Sequence, residues 1–162
     1  MICRMRSNTC KTLDAAKIGI GNWEFVKSYV MNYKGYKELD SYKQARLLRI
    51  YISGLVKKFP SNEKFLLTVQ IIDCSRSITR NIAEGYGRYT FTDTRNFFII
   101  ARGSVTETME QLTTAFDENY IDETELKIGE EKCELVFKLI NGYISYLDRS
   151  KLQTKSLSKP NS

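Results

Sequence analysis

The sequence predicts an all-α fold, an antiparallel, up-down-up-down four-helix bundle, and three observations support this class. Its 162 residues include only two prolines and nine glycines, which leaves room for long helices. Apolar residues recur at alternating spacings of three and four, the period of a helix that buries one face. The segments between these stripes are short, so successive helices are expected to lie side by side in opposite directions.

The first two predicted helices span residues 40–59 and 62–86. Asp40 is a good N-cap for the first helix, and Pro60 ends it. The buried stripe of the first helix consists of Ala45, Leu48, Ile52, Leu55 and Phe59. That of the second consists of Leu67, Ile71, Cys74, Ile78 and Ile82. This helix is expected to end at Gly85 or Gly87, because glycine is typical of a left-handed helix end.

The third and fourth predicted helices span residues 92–117 and 123–149. Each follows a capping box, formed by Thr90 with Asp93 and by Asp122 with Glu125. The third stripe consists of Phe97, Ala101, Ser104, Thr108, Leu112 and Ala115. The fourth consists of Leu126, Gly129, Cys133, Val136, Ile140, Tyr143 and Leu147.

The absence of histidine excludes several chemistries. A chain without histidine has no His-ligated metal and no Ser-His or Cys-His nucleophile pair, and its four cysteines form no CxxC motif. Cys74 and Cys133 fall on apolar stripes, where cysteine acts as a small hydrophobic residue. We therefore expect a protein that is not an enzyme and binds no cofactor or metal. The lack of an apolar leader or membrane-length stretch predicts a cytoplasmic protein with no membrane partner.

Charge is segregated along the chain, whose total is +6. Residues 36–91 carry a net +5, whereas residues 92–149 carry a net −6. This pattern suits a polyanionic partner, and it also suits attraction between neighbouring subunits. The candidate nucleic-acid-binding residues are Lys57, Lys58, Arg76, Arg80 and Arg88.

Two further observations accompany that set. Lys43, Arg46 and Arg49 on the first helix add positive charge. Tyr86 and Tyr89 lie close to the arginines in sequence and can stack on unpaired bases. The alternative for each basic residue is a solvated face, or a salt bridge to the acidic half of a neighbouring subunit.

The helices carry more apolar residues than one buried stripe requires. Such surplus stripes usually mark protein–protein surfaces. The predicted oligomer interface consists of Phe65, Val69, Ile72, Phe98 and Val105. The alternative is a wide core stripe with unusually apolar flanks.

Several separated motifs resemble one known family. The strongest runs from Ile78 to Arg88 (ITRNIAEGYGR), and a second is Ala101-Arg102-Gly103-Ser104, followed by Glu110-Gln111-Leu112. Upstream, Tyr36-Lys37-Glu38-Leu39 and Lys57-Lys58-Phe59-Pro60 stand where the family has an aromatic-x-x-Leu and a helix-ending Phe-Pro. The sequence resembles the bacterial four-helix-bundle family, also called 23S rRNA intervening-sequence protein.

The resemblance implies a bundle that assembles into a ring-like homopentamer. It also implies distant kinship with the accessory variability determinant of diversity-generating retroelements, a basic pentamer that works with a reverse transcriptase and its RNA. Residues 1–34 have no counterpart in a typical member, so we expect a flexible N-terminal extension or a start assigned too far upstream. Residues 35–150 then form the bundle, and residues 151–162 a basic tail.

Glu84 and Arg102 are the charged residues inside the two strongest motifs. A structural ion pair between the second and third helices explains both. Catalysis by Glu84 is the alternative, but no second carboxylate accompanies it.

The function predicted from the sequence is a non-enzymatic homo-oligomer that binds RNA or DNA, as an accessory to a nucleic-acid enzyme. The alternative is a protein-interaction scaffold with no nucleic-acid partner.

Overall fold

The computed structural model describes the backbone of residues 35–157 and the side chains as far as residue 151. Within this range the chain forms four α-helices, three short 3₁₀ helices and no strand, which confirms the all-helical prediction. The α-helices are α1 (Asp40–Leu55), α2 (Leu67–Tyr86), α3 (Phe91–Asp117) and α4 (Glu123–Leu157). The 3₁₀ helices are Tyr36–Glu38, Val56–Lys58 and Ser61–Phe65. The predicted N-terminal extension, residues 1–34, lies outside the described residues.

The contacts between the four helices form a closed cycle. Each packs against the next along the chain, and α4 also packs against α1. Between α2 and α3, Gly85 lies against Phe97, whereas Cys74 contacts Thr108 near the other end of the pair. Residues late in one helix thus contact residues early in the next.

The predicted stripes form the core. All residues of the first two predicted stripes are buried, including Phe59, although α1 ends at Leu55 rather than at the predicted residue 59. Gly129, Cys133, Val136, Ile140 and Leu147 of α4 are also buried. In α3 the large core side chain is Phe98, which is fully buried, whereas Phe97 is only partly buried. The assignment of Phe98 and Val105 to an oligomer interface is therefore wrong, because both lie in the core at 0% exposure. Since α3 packs against both α2 and α4, it buries a stripe wider than one neighbour would require.

Some of the helix caps predicted from the sequence are confirmed, and others are wrong. Asp122 and Glu125 accept each other's backbone N–H groups, so the second capping box is complete. At the first, the Thr90 hydroxyl accepts the Asp93 N–H at 3.1 Å and caps α3, but the Asp93 carboxylate accepts from that hydroxyl at 2.7 Å. Asp40 lies inside α1 rather than at its N-cap, which is Leu39. Gly87 ends α2 with φ −78°, so the predicted left-handed glycine is absent there.

The left-handed helix end occurs instead at Asn119, with φ 61°, after α3. There Tyr120 donates to the Ala115 carbonyl and Asn119 to the Phe116 carbonyl, the pair of bonds that closes a Schellman motif. Asparagine tolerates this conformation better than most residues other than glycine. The turn into α4 therefore needs no glycine.

Candidate nucleic-acid interface

An open groove between α1 and α2 is lined by three arginines, Arg49, Arg76 and Arg80. Its volume is about 480 Å³, and Tyr42, Ser53, Thr79 and Ala83 complete the lining. Arg49 donates from Nη1 to the Thr79 hydroxyl at 3.2 Å, which joins the two helices across the groove. Of the described carboxylates, none lies within salt-bridge distance of Arg76 or Arg80. The groove therefore concentrates positive charge that carboxylates leave uncompensated.

The helical register explains this position. Arg76 and Arg80 are four residues apart and are neighbours on the surface of α2. Ile78 and Ile82 occupy the buried face of the same helix, so both arginines are exposed. Thr79 lies between them in sequence, and its buried hydroxyl receives the Arg49 hydrogen bond.

A second groove on α1 adds positive charge, of which Glu38 compensates part by pairing with Lys43 at 3.0 Å. Its volume is about 450 Å³, and Lys37, Lys43 and Arg46 line it together with Tyr42 and Leu47. Tyr42 lines both grooves and so joins them. We call the combined area the basic surface, defined by Lys37, Lys43, Arg46, Arg49, Arg76 and Arg80. From the sequence alone, Arg49 is only one more positive charge on the first helix. The side-by-side packing of α1 and α2 brings it to Arg76 and Arg80.

The other predicted basic residues lie elsewhere. Lys57 is exposed beyond the end of α1. Lys58 pairs with Glu125 at the start of α4, and hydrogen bonding to that carboxylate raises the pKa of Lys58. Arg88 pairs with Glu84 and places its guanidinium 4.5 Å from the centre of the Phe97 ring. Lys58 and Arg88 therefore do not line the grooves of the basic surface, and a carboxylate partly compensates each charge.

The predicted ion pair between Glu84 and Arg102 is wrong. Glu84 pairs with Arg88, four residues further along the chain and just beyond the end of α2, at 2.5 Å. Arg102 donates from Nη1 to Asn141 Oδ1 on α4 at 3.0 Å. Arg102 therefore points to α4 rather than to α2, and the Glu84 side chain is 50% exposed.

The remaining predicted interface residues are at the start of α2. Phe65 is 79% exposed and Val69 is 50% exposed, and Leu66 beside them is 58% exposed. Ile72 is partly buried. We call Phe65, Leu66 and Val69 the apolar patch. Its role in self-association stays a prediction.

Other chemistry has little support in the described part of the chain. No group of three or more Cys, Asp or Glu side chains there can hold a metal ion. Cys74 and Cys133 are buried thiols without a disulfide. Burial raises the pKa of both, that of Cys133 to about 12, so neither is an activated nucleophile. None of the helices between residues 35 and 157 combines the length and apolarity needed to cross a membrane.

Comparison with known families matches residues 37–142 to the family described as 23S rRNA-intervening sequence protein. The matched segment runs from the turn before α1 to the middle of α4 and contains the whole basic surface. No curated protein matches the chain significantly.

Proposed function

The chain belongs to the 23S rRNA-intervening sequence protein family, and on that premise we propose that it is a non-enzymatic homo-oligomer that binds the phosphate backbone of RNA or DNA. The observation that carries this proposal is the groove in which Arg49, Arg76 and Arg80 meet. The name of the family points in the same direction, towards an RNA-related role.

Phosphate binding follows from the chemistry of this groove. Guanidinium groups bind phosphate oxygens through paired N–H donors. Arg76 and Arg80 pair with none of the described carboxylates, so they can bind a phosphate without first breaking a salt bridge. Ser53 and Tyr42 add hydroxyl groups to the same lining. Contacts of this kind fix the position of a strand but do not read its bases, so the expected binding has little sequence preference.

The proposal includes an assembly. We propose that the four helices alternate in direction, which the order of contacts between consecutive helices supports. Copies of the bundle are proposed to associate through the apolar patch, with five as the number that the family resemblance implies. Repetition of a weak phosphate site around such a ring strengthens binding through multivalency.

The proposed setting is the cytoplasm, and the proposed partner enzyme is a reverse transcriptase.

A protein-interaction scaffold is the second candidate. The exposed ring and the two exposed aliphatic side chains of the apolar patch favour it, as does the net charge of −6 over residues 92–149. In this case the arginines of one subunit would bind carboxylates of another. The scaffold predicts assembly that weakens with salt and no binding of RNA.

Salt dependence of RNA binding separates the two candidates. Arg76→Gln with Arg80→Gln removes two charges from the groove and leaves the core stripes intact. Each lost phosphate contact is expected to reduce the slope of log affinity against log salt concentration by about 0.7–0.9. The matched control, Lys127→Gln with Lys138→Gln, removes two charges from α4 and is expected to retain the original slope. Equal slopes for both variants, or no RNA binding by the unmodified protein, would contradict the proposal.

A further inference from the structure

Another groove, with a volume of about 240 Å³, lies where the connection between α2 and α3 meets α4. Five aromatic side chains and one arginine dominate its lining, and none of its lining residues is acidic. These six residues are Tyr86, Arg88, Tyr89, Phe91, Tyr143 and Tyr146. We call this feature the aromatic groove.

Several of these rings are exposed. Tyr89 is fully exposed, Tyr146 is 53% exposed and Phe91 is 42% exposed. Leaving large apolar surface in water forgoes the free energy that burial would provide, so a cluster of exposed rings indicates a binding surface. Since these rings also carry hydroxyl groups at Tyr89 and Tyr146, the surface suits a partner that is flat, apolar and partly polar.

The rings have a rigid backing. Tyr143 stacks on the fully buried Phe98 with 4.3 Å between ring centres, and Tyr146 lies 6.0 Å from Tyr143. A row of three rings thus leads from the core to the surface. Tyr146 therefore lies at the edge of the groove, beside a ring that packs on the core.

The backbone that carries Tyr89 is short and fixed at both ends. Only residues 87–90 separate α2 from α3. On one side Arg88 donates its N–H to the Gly85 carbonyl at 3.1 Å. On the other side Thr90 caps α3 through Asp93. Tyr89 is therefore presented by a connection that is hydrogen-bonded to both helices.

Positive charge borders the rings. The guanidinium of Arg88 has five N–H donors, and its pair with Glu84 uses only Nη2. The Phe97 ring holds the same guanidinium in place. Lys151 is exposed nearby, with its ammonium 3.1 Å from the Thr92 hydroxyl. An anionic partner with flat rings complements this combination.

We propose that the aromatic groove binds unpaired bases of a single-stranded nucleic acid, which stack on Tyr89 and Tyr146 while Arg88 contacts an adjoining phosphate. The inference rests on the proposed function and specifies its substrate as unpaired strands. Every base has a face that stacks on an aromatic ring, whereas both faces of a paired base inside a duplex are already stacked. The lining of the groove between α1 and α2 reaches Ala83, and that of the aromatic groove begins at Tyr86, about 5 Å further along α2.

The test compares an unpaired RNA or DNA oligonucleotide with a hairpin duplex of equal phosphate number, by fluorescence anisotropy at several salt concentrations. Tyr89→Ala with Tyr146→Ala removes two stacking rings and is expected to bind the unpaired strand at least about 30-fold more weakly, with an unchanged salt slope and unchanged duplex affinity. Tyr89→Phe keeps the stacking ring, so its loss of affinity is expected to be much smaller than that of Tyr89→Ala. Phe116→Ala, which removes a partly exposed ring at the far end of α3, is the matched control.

Each failure has a distinct signature. Absence of RNA and DNA binding by the unmodified protein would contradict both this inference and the proposed function. Salt-dependent binding that the Tyr89 and Tyr146 changes leave unaltered would overturn the inference alone. Loss of assembly in the double variant, measured by sedimentation, would assign the rings to a contact between copies and would also overturn it.

Discussion

The backbone of Gly85 on α2 lies so close to Phe97 on α3 that a Cβ at position 85 would stand 2.9 Å from the Cβ of Phe97. The same atom would stand 3.1 Å from the ring of Phe98, which fills the core. Only glycine permits this approach without displacement of a helix. The contact sets the position of the connection that carries Arg88 and Tyr89, and it ties the aromatic groove to the core.

Gly85→Ala is expected to destabilise the fold. Alanine favours helix by about 1 kcal/mol over glycine, but overpacking at a rigid contact costs about 1–3 kcal/mol. Phe97 offers its Cβ rather than a flexible end, so we expect a net loss in the free energy of unfolding, measured by urea titration. Gly103→Ala is the control, since nothing lies within 4 Å of its added Cβ. A Gly85→Ala variant as stable as the Gly103→Ala variant would disprove the close approach.

Arg102 and Asn141 are expected to show energetic coupling, whereas Arg102 and Glu84 are not. Residues in contact typically couple by about 0.5–3 kcal/mol in double-mutant cycles, and residues without a shared partner are additive within about 0.5 kcal/mol. Two cycles on unfolding free energy decide this, Arg102→Met with Asn141→Ala and Arg102→Met with Glu84→Gln. Coupling in the second cycle but not in the first would restore the ion pair predicted from the sequence.

Truncation of Phe98 is expected to destabilise the fold strongly, whereas truncation of Phe65 is expected to change its stability very little. Phe98→Ala removes a fully buried ring from the core and is expected to cost about 3–5 kcal/mol of unfolding free energy. Phe65→Ala changes a ring that is 79% exposed, so the stability of the dissociated chain should move by no more than about 0.5 kcal/mol. Thermal and urea unfolding at low protein concentration provide the measurement. Comparable losses for the two variants would contradict their different burial.

The apolar patch is expected to mediate assembly. Phe65→Glu with Val69→Glu places two charges in the proposed contact and should yield smaller species in light scattering, with the helical content retained. Glu at two exposed positions of α3, Asn96→Glu with Thr106→Glu, serves as the control and should leave the mass unchanged. A monomer for the unmodified protein at micromolar concentration would refute assembly altogether.

Tyr51 is expected to contribute to unfolding in alkali. Burial, with the nearby charges of Glu125 and Asp122, raises the pKa of Tyr51 to about 12. An unfolded tyrosine has a pKa of about 10, so between about pH 10 and 12 the unfolded chain loses this proton more readily than the folded one. The stability that Tyr51 contributes is therefore present below about pH 10 and is lost as pH rises towards 12.

The measurement is the unfolding free energy of the unmodified protein and of Tyr51→Phe at about pH 9 and about pH 11.5. The difference between the two proteins is expected to shrink, or to reverse, as pH rises. Tyr89→Phe removes a hydroxyl from a fully exposed ring and is the matched control. A Tyr51→Phe difference that is constant with pH would contradict the raised pKa.

The sequence by itself determined the order of the four α-helices and their buried faces. The stripes through Leu48 and Ile52, or through Val136 and Ile140, identify buried helix faces because a helix repeats every 3.6 residues. The N-caps at Thr90 and Asp122 mark the starts of α3 and α4 because those hydrogen bonds form between residues three apart. Both signals are local, so they are readable from sequence spacing.

Only the tertiary structure decided which side chains meet. The rotation of α3 about its axis places Phe98 rather than Phe97 in the core and turns Arg102 to Asn141, since α3 packs between α2 and α4. The packing of α1 beside α2 brings Arg49 to Arg76 and Arg80, residues that are far apart in sequence. Cross-helix contacts depend on helix rotation and on offsets of a few ångströms, and these are set by the fit of the whole core rather than by the spacing of residues in any one helix.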